Sequence, residues 1–251
     1  MDFEQAKKYF SEYLKQYNSK DEKIRLKIVH TYGVVSAAKW LGQRMGLSLL
    51  DTQLALHIAL LHDIGRFEQL KIYHSFDDTI VPHAQLSLDI LFHKGLISSF
   101  IPERDYDQII YDAIKNHGLF RMEDTLTDSS LLHAKLIRDA DKLDNFRVKS
   151  EDSMTAMVDV TEEQLGKEPI SDSIYQCFLE SRPILNSDRI THMDMWVSYL
   201  GYIFDLNFPE SRQYVLENDY INRLIDRIPY SNPETQKKME RIRSHALDYL
   251  M

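Results

Sequence analysis

Cysteine is almost missing from this chain, positive charge is in deficit, and no apolar run is long enough to span a bilayer. With Cys177 as the single cysteine among 251 residues, an intrachain disulfide scaffold is excluded, and the reducing cytoplasm is the expected compartment. The opening residues lack the positive-then-apolar order of a secretory signal. No segment approaches about 18 uninterrupted apolar residues, so no membrane association is expected. Lys and Arg number 30 against 39 Asp and Glu, a formal charge of −9 that argues against a large nucleic-acid footprint. It does not argue against a phosphorylated small molecule, because bound metal ions can supply positive charge that the formal count omits. Internal repeats and low-complexity tracts are also lacking, and the hydrophobic share of 43% is that of an ordinary globular chain.

What is present is helical periodicity. Apolar residues recur at helical spacing over 3–17 and 22–45, with Asp21 as a cap for the second segment and Gly46 as its end. Asp51 opens a run, TQLALHIALLHDIG, apolar on all sides and therefore deeply buried, with Gly65 as its stop. The stretch 66–82 reads as a long functional loop carrying Asp77, Asp78 and Pro82. Helices are predicted over 83–94, 104–116 and 129–148, then over 171–180, 189–206, 211–227 and 233–250. Asn232 caps the last of these, and Pro233 takes its first position. A mixed segment lies near 151–170, where MVDVT is too short to establish a strand. This pattern gives an all-α fold, read as one domain with a core at about 22–149 and a C-terminal helical extension at about 150–251.

The coordinating residues carry the sharper signal. His30 lies in KIVHTYGVV, His62 and Asp63 in ALLHDIGRF, and Asp141 in RDADKLDNF, each in or beside a helical segment. Imidazole and carboxylate donors suit a borderline divalent metal, and the absence of clustered cysteines argues against a thiolate zinc site. Taken singly, each histidine is more often a hydrogen-bonded core or surface residue, and each aspartate a cap or ion-pair partner. An ionised Asp63 between Leu60, Leu61 and Ile64 nevertheless needs a compensating cation or hydrogen bonds. The adjacency of His62 and Asp63 also needs an explanation, because neighbouring helical residues point about 100° apart. His83 in IVPHAQLSL and His117 in AIKNHGLFR offer donors for a second ion, with Asp63 bridging.

In the order His30, His62-Asp63, Asp141 on helices, with HDIGRF and DADKLDN as the more specific strings, the sequence resembles the HD-domain metal-dependent phosphohydrolase superfamily over roughly 22–149. The resemblance implies an all-α, HD-domain-like helical bundle with additional C-terminal helices, and hydrolysis of phosphomonoesters or phosphodiesters with one or two divalent metals. It implies His30, His62, Asp63 and Asp141 as ligands, and His83 and His117 as the further histidines of two-metal members. The chain departs from the cyclic-dinucleotide branch, since Gly118 follows His117 and no Gly-Tyr-Pro follows His83.

The expected reaction is attack of a metal-bound hydroxide on the phosphorus of a small phosphorylated compound, with a nucleotide among the substrate classes that fit. Asp63 is expected in the catalytic machinery, Arg66 and Lys142 at substrate oxygens, and Asp144, three residues from Asp141, as an orienting group. The donor set does not choose among Mn²⁺, Fe²⁺, Co²⁺, Zn²⁺ and Mg²⁺, although several histidines make an all-magnesium site less natural. Oligomeric state is not written in the sequence. Two other functions fit the composition: a non-catalytic helical interaction protein, and a non-haem iron oxygenase on an HD-like scaffold. Trp40, Trp196 and the aromatics near 199–208 read as hydrophobic anchors, and His57 as a packing residue.

Overall fold

The structure, a computed structural model, describes residues 1–76, 78 and 80–251, so Asp77 lies outside the described residues. Among the described residues the fold is all-helical, with no strand and no helix long and apolar enough to cross a membrane. The chain divides into two compact units, Met1–Asp141 and Lys142–Met251.

The first unit contains α1 (Phe3–Leu14), α2 (Glu22–Arg44), α3 (Leu49–Leu61), α4 (Ile64–Tyr73), α5 (His83–Leu88), α6 (Ile97–Phe100), α7 (Asp107–His117) and α8 (Asp128–Glu151) through Asp141. Asp21 caps α2 as its position implies, its carboxylate accepting from the Lys23 and Ile24 amides. At the other end Gly46 takes φ +64, and the Leu47 amide donates to Gly42 O at 2.9 Å, satisfying a carbonyl that the helix end leaves unpaired. Helix α3 starts earlier than the sequence suggests. Ser48, not Asp51, is its cap, and the Ser48 hydroxyl accepts from the Asp51 amide while donating to the Asp51 carboxylate. Every residue from Leu54 to Leu61 is buried, which makes α3 the central rod against which α2 packs. Each large apolar side chain sealed this way contributes roughly 1.5–3 kcal/mol.

The expected stop at Gly65 and the expected loop over 66–82 are both corrected. The chain breaks before Gly65, between Leu61 and Ile64, and then forms α4, which buries Phe67 and Leu70 at helical spacing. Phe67 stacks edge-on with Phe10 of α1 at 6.0 Å. Gly65 is glycine because α5 crosses its helix at backbone distance. A Cβ there would lie 2.5 Å from His83 O and still nearer the Ser87 amide nitrogen. Instead the Gly65 amide donates to Ser87 Oγ at 2.9 Å. Close backbone approach, rather than helix termination, is the reason for this glycine.

The second unit contains the remainder of α8 and helices α9 (Met154–Val158), α10 (Glu162–Leu165), α11 (Asp172–Leu179), α12 (His192–Leu200), α13 (Pro209–Glu217), α14 (Tyr220–Asp226) and α15 (Pro233–Leu250). The MVDVT segment is helix up to Val158 and then turns at Asp159, φ +60. The single helix predicted over 211–227 is two, broken at Asp219 with φ +55. That predicted over 189–206 is α12 followed by a 3₁₀ turn, Gly201–Asp205. Asn232 and Pro233 start α15 as expected. Trp196 is fully buried and donates to Leu224 O, and Phe178 meets Phe204 edge-on at 4.9 Å, in keeping with an anchoring role for the aromatics. Cys177 is a free thiol.

Gly65→Ala is expected to destabilise the protein by about 2–3 kcal/mol in denaturant unfolding, because both clashing partners are backbone. Gly42→Ala is the control. Its Cβ would meet the Thr52 side chain at an ordinary 3.5 Å, so stability should be unchanged or should rise by up to about 1 kcal/mol.

Candidate metal centre

The break between α3 and α4 resolves the adjacency of His62 and Asp63. His62 is the last, capping residue of α3, and Asp63 precedes α4 with φ −109 and ψ 17. The two side chains therefore do not follow one helical rotation. Asp63 occupies the capping position of α4 yet makes no capping hydrogen bond, so its carboxylate is left for other partners.

Those partners are shared between two groups of donors. His30, His62, Asp63 and Asp141 each offer a ligand atom within 4.8 Å of the others, and so do Asp63, His83 and His117. Asp63 belongs to both, one oxygen to each. Its Oδ2 faces His62 Nε2 at 3.2 Å and His30 Nε2 at 3.9 Å, while its Oδ1 faces His83 Nε2 at 3.2 Å and His117 Nε2 at 3.6 Å. Asp141 reaches His30 Nε2 at 2.9 Å and His62 Nε2 at 3.9 Å, and at 24% side-chain exposure it forms the open edge of the first group.

The rings are oriented by what holds their far nitrogens. His62 Nδ1 donates to Ala59 O at 2.8 Å, and His117 Nδ1 donates to Ile114 O at 2.6 Å. His83 Nδ1 donates to Asp78 Oδ1 at 2.7 Å. Each neutral ring thereby turns an unprotonated Nε2 inward, the tautomer that coordinates a cation. The inward atoms are poorly matched to one another without one. His83 Nε2 and His117 Nε2 stand 2.9 Å apart, and His62 Nε2 and Asp63 Oδ1 are buried with no hydrogen-bond partner. Lone pairs directed at lone pairs in a buried site are what a divalent cation relieves, and the nitrogen and oxygen donors suit one. The residues present thus fit the group.

Electrostatics agree. Burial pushes the Asp63 carboxyl up, but Lys27, whose ammonium contacts Oδ2, together with His62 and His83, holds it well below the usual range. Burial likewise raises Asp141, and the hydrogen bond and charge of His30 bring it down. Burial lowers His62, and burial with the Arg66 charge lowers His83 to about 4.

Arg66, expected at substrate, stands beside the second donor group with Nε 3.9 Å from Asp63 Oδ1, and its other nitrogens are paired. Its Nη1 and Nη2 fork onto the two oxygens of Asp78 at 2.8 Å each, and Nη1 also reaches Gln69 and Phe76 O. Asp78 accepts in turn from both the ring and the amide of His83, so Arg66 positions His83 at one remove. Lys142 and Asp144 belong to the second unit, where Lys142 pairs with Asp205 at 2.9 Å and Asp144 with Arg147 at 2.7 Å. Neither is among the clustered donors. Sequence reasoning missed Lys27, although its place one turn before His30 puts it on the same helical face. It also missed Arg138, buried on α8, which donates to Asn116 O at 2.9 Å and ties down the end of α7 that carries His117. Gly118 leaves room for the second group, since a Cβ there would stand 3.3 Å from His83 Cε1. His57 is a buried packing residue, bonded to Gln53 O and edge-on to Phe3.

Residues 28–145 match the family model described as the HD domain. The chain carries an HD domain. No curated protein and no solved structure matches it. All six clustered donors fall within the matched segment, and an HD domain with such His and Asp clusters supports metal-dependent phosphohydrolase chemistry in general terms, without designating a substrate.

The lowered histidines make the metal-free HD domain acid-sensitive. His57, His62, His83 and His133 all have folded pKa values depressed by burial below 6.5, so the unfolded chain takes up protons that the folded one refuses. Stability should hold above pH 7 and fall from pH 6.5 downward, for His83 until about 4, at up to roughly 1.4 kcal/mol per pH unit per histidine. The depressed carboxylates add their loss only below about 3.8. Urea unfolding of metal-stripped protein at pH 7.5 and 5 checks this, and equal midpoints would contradict it.

Proposed function

We propose that this protein hydrolyses a small phosphorylated compound, a class that includes nucleotides, with two divalent ions held by the two donor groups. The observation that carries the reading is the division of Asp63, one oxygen toward His30 and His62 and the other toward His83 and His117. A carboxylate so placed is suited to bridge. Ions bound there would supply Lewis acidity, acidifying water toward neutrality and neutralising charge on the transferring phosphoryl group.

The chain's own residues account for the rest. His30, His62 and Asp141 complete the first site around Asp63, and His83 and His117 the second. Ala59 O, Ile114 O and Asp78 fix the tautomers of His62, His117 and His83, so these three rings need not reorient during turnover. Leu60, Leu61 and Ile64 are fully buried around the His-Asp pair and keep its surroundings apolar, which strengthens the field felt by a bound anion. The partly exposed Asp141 marks the side from which substrate and water arrive.

Elemental analysis of the purified protein, followed by a metal-reconstituted screen against phosphomonoesters, nucleotides and cyclic nucleotides, tests the reading. Asp63→Asn should lose bound metal and at least about 100-fold in turnover while remaining folded by circular dichroism. His117→Ala should lower the metal content from two ions per chain to one. Retention of both ions in His117→Ala would overturn the two-ion arrangement. Oxygen uptake coupled to product formation, with no phosphate released, would overturn hydrolysis in favour of an oxygenase.

A further inference from the structure

Lys27 sets a charge against the centre without belonging to either donor group, on the side of Asp63 opposite Arg66, whose Nε stands 3.9 Å from Asp63 Oδ1. It lies one turn before His30 on α2, its side chain is 13% exposed, and its ammonium contacts Asp63 Oδ2. That oxygen is the one Asp63 turns toward His30 and His62. A divalent ion taken up by the first donor group and the Lys27 ammonium would therefore compete for one carboxylate oxygen, two cationic centres a few ångström apart in a buried, weakly screened setting. The ion carries the larger charge and the additional donors of His30, His62 and Asp141, so the ammonium is the group that yields. Its four-carbon stem lets Nζ move without disturbing α2.

A displaced ammonium needs a new anion. The structure offers few alternatives: Asp141 and Asp63 are ligand atoms of the same site, and Asp78 is held by the Arg66 fork and the His83 ring. An incoming phosphate is an anion arriving where the displaced Nζ stands. Arg66 is less free to move than Lys27, because its two Nη groups are forked onto Asp78, the group that orients His83, and its Nε stands on the Oδ1 side of Asp63.

Resting on the hydrolase reading above, we propose that Lys27 is a substrate-binding residue that exchanges partners: it neutralises Asp63 before metal is bound and contacts the substrate phosphate once metal has taken its place. The test uses Mn²⁺ and inorganic phosphate as probes in isothermal titration calorimetry of the full chain. Lys27→Met, similar in length but uncharged, should bind Mn²⁺ about tenfold more tightly than wild type, and its Mn²⁺-loaded form should bind phosphate about tenfold more weakly, the scale of one charge-assisted contact. Lys27→Arg, which keeps the charge, should restore phosphate affinity to within about threefold of wild type. Phosphate affinity unchanged in Lys27→Met, Mn²⁺ affinity that fails to rise, or phosphate binding that Lys27→Arg does not rescue would each overturn the proposal. The two readings separate cleanly. Wild type that binds no Mn²⁺ defeats the metal-centre reading and this one with it, whereas wild type that binds Mn²⁺ and phosphate no differently from Lys27→Met defeats only the role of Lys27.

Discussion

A carboxylate at 3% exposure, flanked by Leu60, Leu61 and Ile64, is a charge removed from water, and taking it there uncompensated would cost several kcal/mol. Much of the architecture around Asp63 answers that cost. Helix α3 ends early so that the residue stands outside a regular turn. Lys27 brings an ammonium to one oxygen, and four imidazoles face the pair of oxygens. Replacing Asp63 with an apolar residue would remove the problem, so its presence is explained better by binding than by stability.

The aim of the imidazoles is fixed by a layer of hydrogen bonds behind them. Two rings are fixed by carbonyls within their own helical stretch, Ala59 for His62 and Ile114 for His117, so those orientations come with the helix geometry. His83 opens α5 and has no such carbonyl. Its ring is held instead by Asp78, itself forked by Arg66, with Gln69 spanning from Asp78 to Val81 O. The second donor group is therefore built partly from the segment between α4 and α5, and it depends on a longer chain of contacts than the first. Inward-facing lone pairs repel one another, so an ion bound between them would also stabilise the fold.

The donors were legible because their chemistry is distinctive: histidine and aspartate inside apolar helical runs have few uses, and their order along the chain narrows those uses further. The all-helical fold was legible from periodicity, and the caps at Asp21, Gly46 and Asn232 from residue type. Gly65 was misread because a glycine after an apolar run signals a stop as readily as a close crossing, and only α5, distant in sequence, distinguishes the two. That error concealed α4, whose buried Phe67 and Leu70 were then taken for loop residues. The break at Asp219 carries no glycine or proline to announce it. The pairing of Arg66 with Asp78 was not legible because Asp78 is twelve residues away, in a segment whose course the sequence does not disclose. Lys27 was overlooked for the opposite reason, since lysines on helix faces are common and usually solvated.

An acidic chain can still present a positive interior to an anion, and the placement of its charges shows how. The formal charge of −9 is an average over the whole sequence, whereas a buried site responds to what lies within a few ångström. Two divalent ions set against Asp63 and Asp141 would leave a local excess of two positive charges, close to the charge of a phosphomonoester dianion, so a phosphate could enter without leaving the site strongly charged. Arg66 adds little to that excess because Asp78 cancels it. Under the proposed exchange, Lys27 would turn its charge toward the phosphate once an ion had released its hold on Asp63. On the proposed reading the field that a phosphate meets would be set by ion binding, because without it the Lys27 charge is spent on Asp63.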